Sequence, residues 1–342
     1  MRKPSNAWTS TTLDALANSL AGGTPARSSA EMYGGSIPWV KSGELRKPAI
    51  HSTEEHLSSL GLAASSAKWV PSRTPLIAMY GATAGCVSWL AIDATTNQAV
   101  LALVPRSANV FARWLYWQLT NQAERLLASV QGSGQPNLSK GLVDRHVVLF
   151  PPLPEQRAIA AVLDTIDDAI QKTEQIIAKL QQVKQGLLHD LLTRGIDDNG
   201  ELRDPERHPE QFQDSPLGRI PKGWNPRLLH EVAELRSGVA KNEGRAVRDP
   251  VLVHYLRVAN VQDGYLDLSD MATICIGRAD VDRFRVLPGD VLMNEGGDLD
   301  KLGRGTIWRG EFEPCIHQNH VFVVRCGCDL LPEFLDAWTL TR

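Results

Sequence analysis

The stretch from Ile159 to Leu191 constrains this chain more than any other part of it. Ile159, Leu163, Ile166, Ile170, Thr173, Ile177, Leu180, Lys184, Leu187 and Leu191 follow one another at alternating steps of four and three, and eight of the ten are apolar. Such a 3.5-residue repeat describes a helix whose seam meets another helix in a left-handed coiled coil. Pro154 suits a first helical turn, where its missing N–H is not needed, and Gly195 is a natural stop. The spacing predicts a long coiled-coil helix within residues 151–195, a rod on the order of 60 Å at ~1.5 Å per residue. A helix in an ordinary bundle is the bland alternative.

Around that helix the chain reads as two globular stretches, residues 1–150 and 223–342, with a polar, proline-rich linker at 196–222. At 342 residues, 43% hydrophobic and 22% charged, there is enough apolar material for two ordinary cores. The two stretches echo each other. Ile37-Pro38-Trp39-Val40-Lys41 is answered by Val253-His254-Tyr255-Leu256-Arg257, and Leu76 to Gly81 by Val291 to Gly296. Gly85 to Gln98 spans the same 13 residues as Gly305 to Gln318, and Phe111 to Leu115 lies 220 residues before Leu331 to Leu335. A period near 215–220 implies a duplicated unit of mixed α/β domain plus helix, an α+β chain overall. Chance similarity of short apolar runs is the other reading. A complete second copy would place its helix near 374–414, whereas the sequence stops at Arg342, so the seam is expected to lack a partner within the chain.

Charge narrows the function. Residues 1–150 carry 13 Lys and Arg against 8 Asp and Glu, whereas 151–222 and 223–342 are each net −4. Only the first stretch has a surplus that suits a phosphate backbone, and the last would need a local patch. No run approaches 18 apolar residues and the N-terminus has no apolar signal core, so the sequence reads as soluble and cytoplasmic, with no membrane partner. Five scattered cysteines, with Cys326-x-Cys328 unmatched by a second pair, give no metal site.

Catalytic signatures are missing. There is no G-x-x-x-x-G-K-[ST] loop, no Gly-x-Ser-x-Gly elbow and no paired histidines at zinc spacing. The glycine-rich run Gly296 to Gly305 holds Asp298 and Asp300, which would repel phosphate, and reads as a surface loop. What the sequence does offer is amide- and hydroxyl-rich clusters at the ends of apolar runs: Thr95-Thr96-Asn97-Gln98, Ser133 to Ser139, and His317-Gln318-Asn319-His320. Asn and Gln can bond adenine bidentately in the major groove. The same residues also fill turns for backbone reasons alone.

At these residues the chain resembles the specificity subunits of type I restriction-modification systems. Gly22-Gly23-Thr24-Pro25 with Gly34 to Leu45 resembles the opening of that family's target-recognition domain, and Tyr80 to Gly85, Thr96 to Ala99 and Gly134 to Ser139 resemble its later motifs. Pro151-Pro152-Leu153-Pro154-Glu155-Gln156-Arg157, leading into a helix that ends Leu187 to Gly195, is the most specific stretch. The resemblance implies a non-catalytic subunit with two target-recognition domains, each reading half of a bipartite site on double-stranded DNA. Long helices space the two domains. It implies modification subunits that methylate adenine with S-adenosylmethionine and restriction subunits driven by ATP and Mg2+, with no cofactor bound by this chain. The candidate DNA-contacting residues are then Lys41, Ser42, Tyr80, Thr83, Asn97 and Gln98, followed by Ser133, Gln135, Asn137 and Ser139. In the second globular stretch the candidates are Arg257, Asn260, Asn294, Gln318, Asn319 and His320. The resemblance departs at the C-terminus, where the second domain and helix read as truncated. Self-association through the seam is therefore expected. The competing readings are an interaction scaffold with no DNA role and an inactive truncated subunit.

Overall fold

The computed structural model describes residues 8–129, 137–240, 248–296 and 302–341. The chain divides into two compact units, residues 1–173 and 174–342, with the boundary inside its longest helix.

Unit 1 opens with β1 (Thr9–Thr12), α1 (Leu13–Leu16), β2 (Ala17–Ala21) and β3 (Tyr33–Val40). There follow β4 (Ala49–Ile50), β5 (Glu55–Leu57), α2 (Ser59–Ala63), β6 (Trp69–Val70), β7 (Thr74–Ala78), β8 (Val87–Leu90), β9 (Ala94–Thr96) and β10 (Val100–Pro105). The unit closes with α3 (Ala112–Ala128), α4 (Lys140–Asp144), β11 (Val147–Phe150) and the start of α5 (Leu153–Thr193). One sheet has the order β2-β10-β7-β8-β4, a second β5-β3-β9-β6, and β1 pairs with β11. The strand β7 is buried along its whole length, which is why its sequence is a continuous apolar run rather than an alternation. The helix α3 lays Trp114, Leu115, Leu119 and Leu126 on Ile77, Leu101 and Leu103, and Phe150 meets Trp114 edge-on at 5.6 Å.

The polar excursion after α5 contains the hairpin β12 (Phe212–Ser215) and β13 (Gly218–Pro221). Unit 2 then repeats the plan with α6 (Leu229–Val232), β14 (Ala233–Arg236), β15 (Pro250–Leu256), β16 (Ala272–Gly277) and α7 (Arg278–Phe284). It ends with β17 (Val291–Asn294), β18 (Gly305–Ile307), β19 (Cys315–His317), β20 (Val321–Cys326) and α8 (Pro332–Thr339). Its sheets have the orders β14-β20-β17-β18 and β16-β15-β19. A bidentate ion pair stands within it: the guanidinium of Arg325 holds the buried Asp290 at 2.7 Å through both nitrogens.

The internal repeat is visible bond by bond, and it corrects the equivalences suggested by the apolar runs. The amide of Ala78 donates to Cys86 O and its carbonyl accepts from Gly85 N, both at 2.9 Å; Asn294 does the same with Arg304 O and Gly303 N, again at 2.9 Å. Asn294 therefore corresponds to Ala78 and not to Met79, and Gly303 rather than Gly305 corresponds to Gly85. Asn97 N donates to Val40 O at 2.9 Å and Gln318 N to Leu256 O at 2.8 Å, so Gln98 corresponds to Asn319 rather than to Gln318. A one-residue slip exchanges the faces of a strand, and a fully buried strand carries no alternation in sequence to fix its phase. The match of Lys41 with Arg257 stands.

The predicted long helix is observed as α5, 41 residues without interruption. Its first turns are fastened within unit 1 by polar contacts that the heptads do not reveal. Gln156 is fully buried; its Oε1 accepts from Phe111 N at 2.8 Å, and its Nε2 donates to Pro151 O at 2.8 Å and Asn109 O at 3.0 Å. About two turns further on, Asp164 accepts from Arg113 Nε and Trp117 Nε1, each at 2.7 Å. The Arg113 guanidinium lies 4.4 Å from the ring centroid of Tyr116, 5.1 Å from Trp89 and 5.4 Å from Trp117. Beyond this anchor Ile166, Ile170, Ile177, Leu180, Leu187 and Leu191 are exposed, while Ile159 packs on the unit 1 core and Leu163 is half-buried. A second apolar row, Val162, Ile176 and Val183 with Ala169 between, repeats every seven residues beside the seam and is exposed too. The apolar face is thus wider than a two-helix seam requires.

Candidate nucleic-acid interface

In unit 1, β3 and β9 run parallel with Trp39 beside Thr95 and Val40 beside Thr96. Their ends deliver Lys41 and Asn97 to a common edge. The chain before β3 crosses that edge closely enough to demand glycine: Gly23 N donates to Thr96 O at 2.9 Å, and a Cβ on Gly22 would lie 2.0 Å from the same carbonyl oxygen. Thr24 Oγ1 then hydrogen-bonds Gln98 Oε1. Met79 N donates to Ala99 O at 2.8 Å, Leu138 N donates to Met79 O at 2.6 Å, and Tyr80 bridges to Asn137. Lys41, Asn97, Gln98, Tyr80 and Asn137 are therefore brought together from four separate stretches of chain.

Unit 2 builds the same edge. There β15 and β19 are parallel with Leu256 beside His317, and Val239 N donates to His317 O at 2.9 Å. A Cβ on Gly238 would lie 2.1 Å from that oxygen. Gln318, Asn319 and His320 follow at once, and Glu295 N donates to His320 O at 3.0 Å. The exposed His320 ring sits with Nε2 3.3 Å from Asn319 Nδ2 and Nδ1 3.5 Å from a Glu295 carboxylate oxygen. His317 is different: it is buried, with Nδ1 2.6 Å from Val321 O, and burial holds its pKa below the ordinary histidine value.

Several candidate residues are committed to the scaffold itself. The ammonium of Lys41 is 2.9 Å from Glu55 and 3.1 Å from Glu54, and the bond to Glu55 holds its pKa above the usual lysine range. Glu55 in turn is held below the usual carboxylate range, first by Arg27 and then by Lys41. In the second copy Arg257 reaches Asp270 at 2.8 Å. Buried Asn260 accepts from Arg257 N at 2.9 Å, as Glu44 accepts from Lys41 N at 2.9 Å, so both brace the turn after the first parallel strand. Asn294 is buried and donates to Val258 O and Val261 O at 3.2 and 3.0 Å. Thr83 is buried in the turn after β7, Ser42 is half-buried at the start of a short 3-10 turn, and Ser139 caps α4 by accepting from Leu142 N at 3.2 Å. Asn97 spends its Oδ1 on Ala99 N at 3.1 Å. Gln98, Asn137 and His320 are exposed at the two edges, and Gln318 and Asn319 are half-buried there. Ser133 and Gln135 lie outside the described residues. Sequence reasoning did not single out Glu44, Glu54, Glu55 or Gly238; the second of these edges shows its glycine need only once the strands are paired.

Among the described residues no group of three or more His, Cys, Asp and Glu is placed to hold a metal ion, and no helix is long and apolar enough to cross a membrane. Two copies of one mixed α/β unit, each ending a parallel strand pair in amide side chains, together with a long helix bearing an apolar heptad face, define a duplicated α/β module. The family model of the type I restriction modification DNA specificity domain matches residues 6–182, more than half of the sequence, and the chain belongs to that family. It is 28% identical over 125 residues to the MjaVIII specificity subunit of Methanocaldococcus jannaschii, a match over 36% of this chain and 27% of that one. It is 24% identical over 249 residues to the MjaIX specificity subunit of the same organism, covering 71% and 55%, and 25% identical over 210 residues to the EcoKI specificity subunit of Escherichia coli K12, covering 60% and 42%. The chain thus spans about half, or less, of the length of these relatives. The fold is shared with the crystal structure of a type I restriction-modification S subunit from M. genitalium, with a TM-score of 0.54 at 14% identity over 100% of this chain and 78% of that one. A chain from a study of complex assembly and conformational transition of a type I system gives 0.57 at 16% identity, over 100% and 80%.

Proposed function

We propose that this chain is a DNA-reading specificity subunit whose two units each recognise one half of a bipartite duplex target. The observation that carries this reading is the repeat of one polar edge in both units, with Gln98 in one and Asn319 in the other following the same hydrogen-bonded turn. Amide side chains at such an edge suit adenine N6 and N7 in the major groove. The chain itself neither methylates nor cuts. Adenine methylation with S-adenosylmethionine and ATP- and Mg2+-dependent cleavage belong to modification and restriction subunits that it directs.

The test is binding to duplex DNA over a salt series. Affinity should fall steeply, because phosphate contacts release counterions, with a log–log slope of about −0.9 per contact. A flat salt dependence, or no binding by the purified chain alone or with its modification subunits, rejects the reading and leaves the scaffold. Comparing the methylome of a host with and without the gene then gives the target.

The wide apolar face of α5 supports a helical partner, either modification subunits or a second copy of this chain. Each seam side chain would contribute on the order of 1.5–3 kcal/mol if buried. At micromolar concentration light scattering should report a mass above that of the monomer, and the triple replacement Ile166→Asp, Ile170→Asp and Ile177→Asp should return it to the monomer without unfolding unit 1. A monomeric parent chain excludes self-association.

A further inference from the structure

Arg73 has a backbone that its side chain does not favour. Its φ is 62°, in the left-handed region that suits glycine, and its amide donates to Leu90 O at 2.7 Å to open β7. The equivalent residue of unit 2 is Gly289, with φ 94° and its amide donating to Trp308 O at 2.8 Å. The turn therefore demands this conformation, and glycine is the residue that meets it without strain. What an arginine adds at this position is its side chain.

That side chain is exposed, and among the described residues no carboxylate lies within ion-pair distance of it. Four other cations of unit 1 are held in ion pairs: Arg27 and Lys41 by Glu55, Arg113 by Asp164, Lys140 by Asp144. The nearby Asp93 is turned to the Ser72 amide, which donates to it at 2.7 Å. Arg73 ends a short ridge of chain that runs through the edge strand β6 and carries the exposed Lys68 just before the strand and the half-exposed Trp69 within it. Lysine and proline on an edge strand guard against unwanted pairing, which accounts for Lys68 and Pro71. That purpose explains neither an exposed tryptophan nor a strained arginine. In unit 2 the position of Trp69 is taken by Arg285, which is paired with Glu313, and that of Lys68 by the half-buried Phe284.

We propose that the Lys68–Trp69–Arg73 ridge seats the phosphodiester backbone of duplex DNA, with Arg73 as its anchor. The proposal rests on the DNA-reading function above and adds a residue-level contact to it. The strand β6 pairs antiparallel with β9, so Lys68 lies toward the β9 end that carries Asn97 and Gln98 and Arg73 toward its start, beside Asp93. A phosphate held on the ridge fixes the register in which that amide edge meets the bases, because backbone contacts position and base contacts specify. From Lys68 to Arg73 the chain spans at most on the order of 15 Å, the limit for a fully extended segment at ~3.3 Å per residue.

Arg73→Gly separates the contact from the fold. In the full chain, titrated against a fluorescent random-sequence duplex over a salt series, it should bind roughly threefold to tenfold more weakly, with a log–log slope shallower by about 0.9. Its melting temperature should equal or exceed that of the parent, since glycine relieves the turn. Arg73→Lys should keep the slope, and the charge-matched Arg207→Gly, in an ion-paired turn of the other unit, should leave slope and affinity at the parent values. Parent-like binding by Arg73→Gly overturns the assignment and leaves the DNA-reading function standing. So does a loss of affinity accompanied by a lower melting temperature that Arg73→Lys fails to rescue. A parent chain that binds no duplex at all overturns both.

Discussion

Replacing Gln156 by leucine should be among the most damaging single changes this chain can suffer. Leucine fills most of the same space but leaves Phe111 N, Pro151 O and Asn109 O without their side-chain partner in a buried site. Each stranded backbone group costs about 1–3 kcal/mol, so a loss of roughly 3–5 kcal/mol is expected. In a unit of this size that lowers the melting temperature by on the order of 10 °C. Gln156→Glu should be no milder, since it removes both N–H donors and sets a carboxylate against two carbonyls. Gln175→Leu, on the exposed side of the same helix, should stay within about 0.5 kcal/mol of the parent. Calorimetry that finds Gln156→Leu as stable as Gln175→Leu refutes this account of the turn.

The case of Gln156 shows where sequence reading stops. The helix that carries it is legible because a 3.5-residue period is a local signal, marked by ten positions between Ile159 and Leu191. The Pro-Pro-Leu-Pro-Glu-Gln-Arg run is conspicuous as a motif, yet nothing in it says that the glutamine is buried or that its partners lie near residue 110. That depends on α3 being laid against the start of α5, a contact between residues 45 to 47 apart in the chain. The same holds for Lys41. Its position at a polar edge follows from the strand before it, whereas its neutralisation by Glu54 and Glu55 depends on how the β3–β5 pairing returns those two carboxylates to it. The repeat lies between these extremes. Its period is legible in the spacing of landmarks, but its phase was set by hydrogen bonds that apolar runs cannot encode. The correct phase matters for the site, because it turns Asn294 from a surface candidate into the buried counterpart of Ala78.

That phase also yields a paired test of bipartite recognition. Gly22 and Gly238 occupy the same place in the two units, each with its Cα against the carbonyl that ends the second parallel strand. An alanine methyl cannot be accommodated 2.0 Å from Thr96 O or 2.1 Å from His317 O, because the obstacle is backbone rather than a side chain that could swing away. Gly22→Ala should therefore push the Gly23–Thr24 segment off β9, break its bond to Thr96 O and release Gln98 from Thr24. Gly238→Ala should do the corresponding damage at Gln318 and Asn319 and leave the unit 1 edge intact. If each unit reads its own half of the target, selection from a randomised duplex should lose discrimination at one half only, by about 1–3 kcal/mol per base pair, and the affected half should switch between the two variants. Loss at the same base pairs in both variants, or at neither, would mean that the two edges do not read DNA independently, and the division of the target between the units would have to be abandoned.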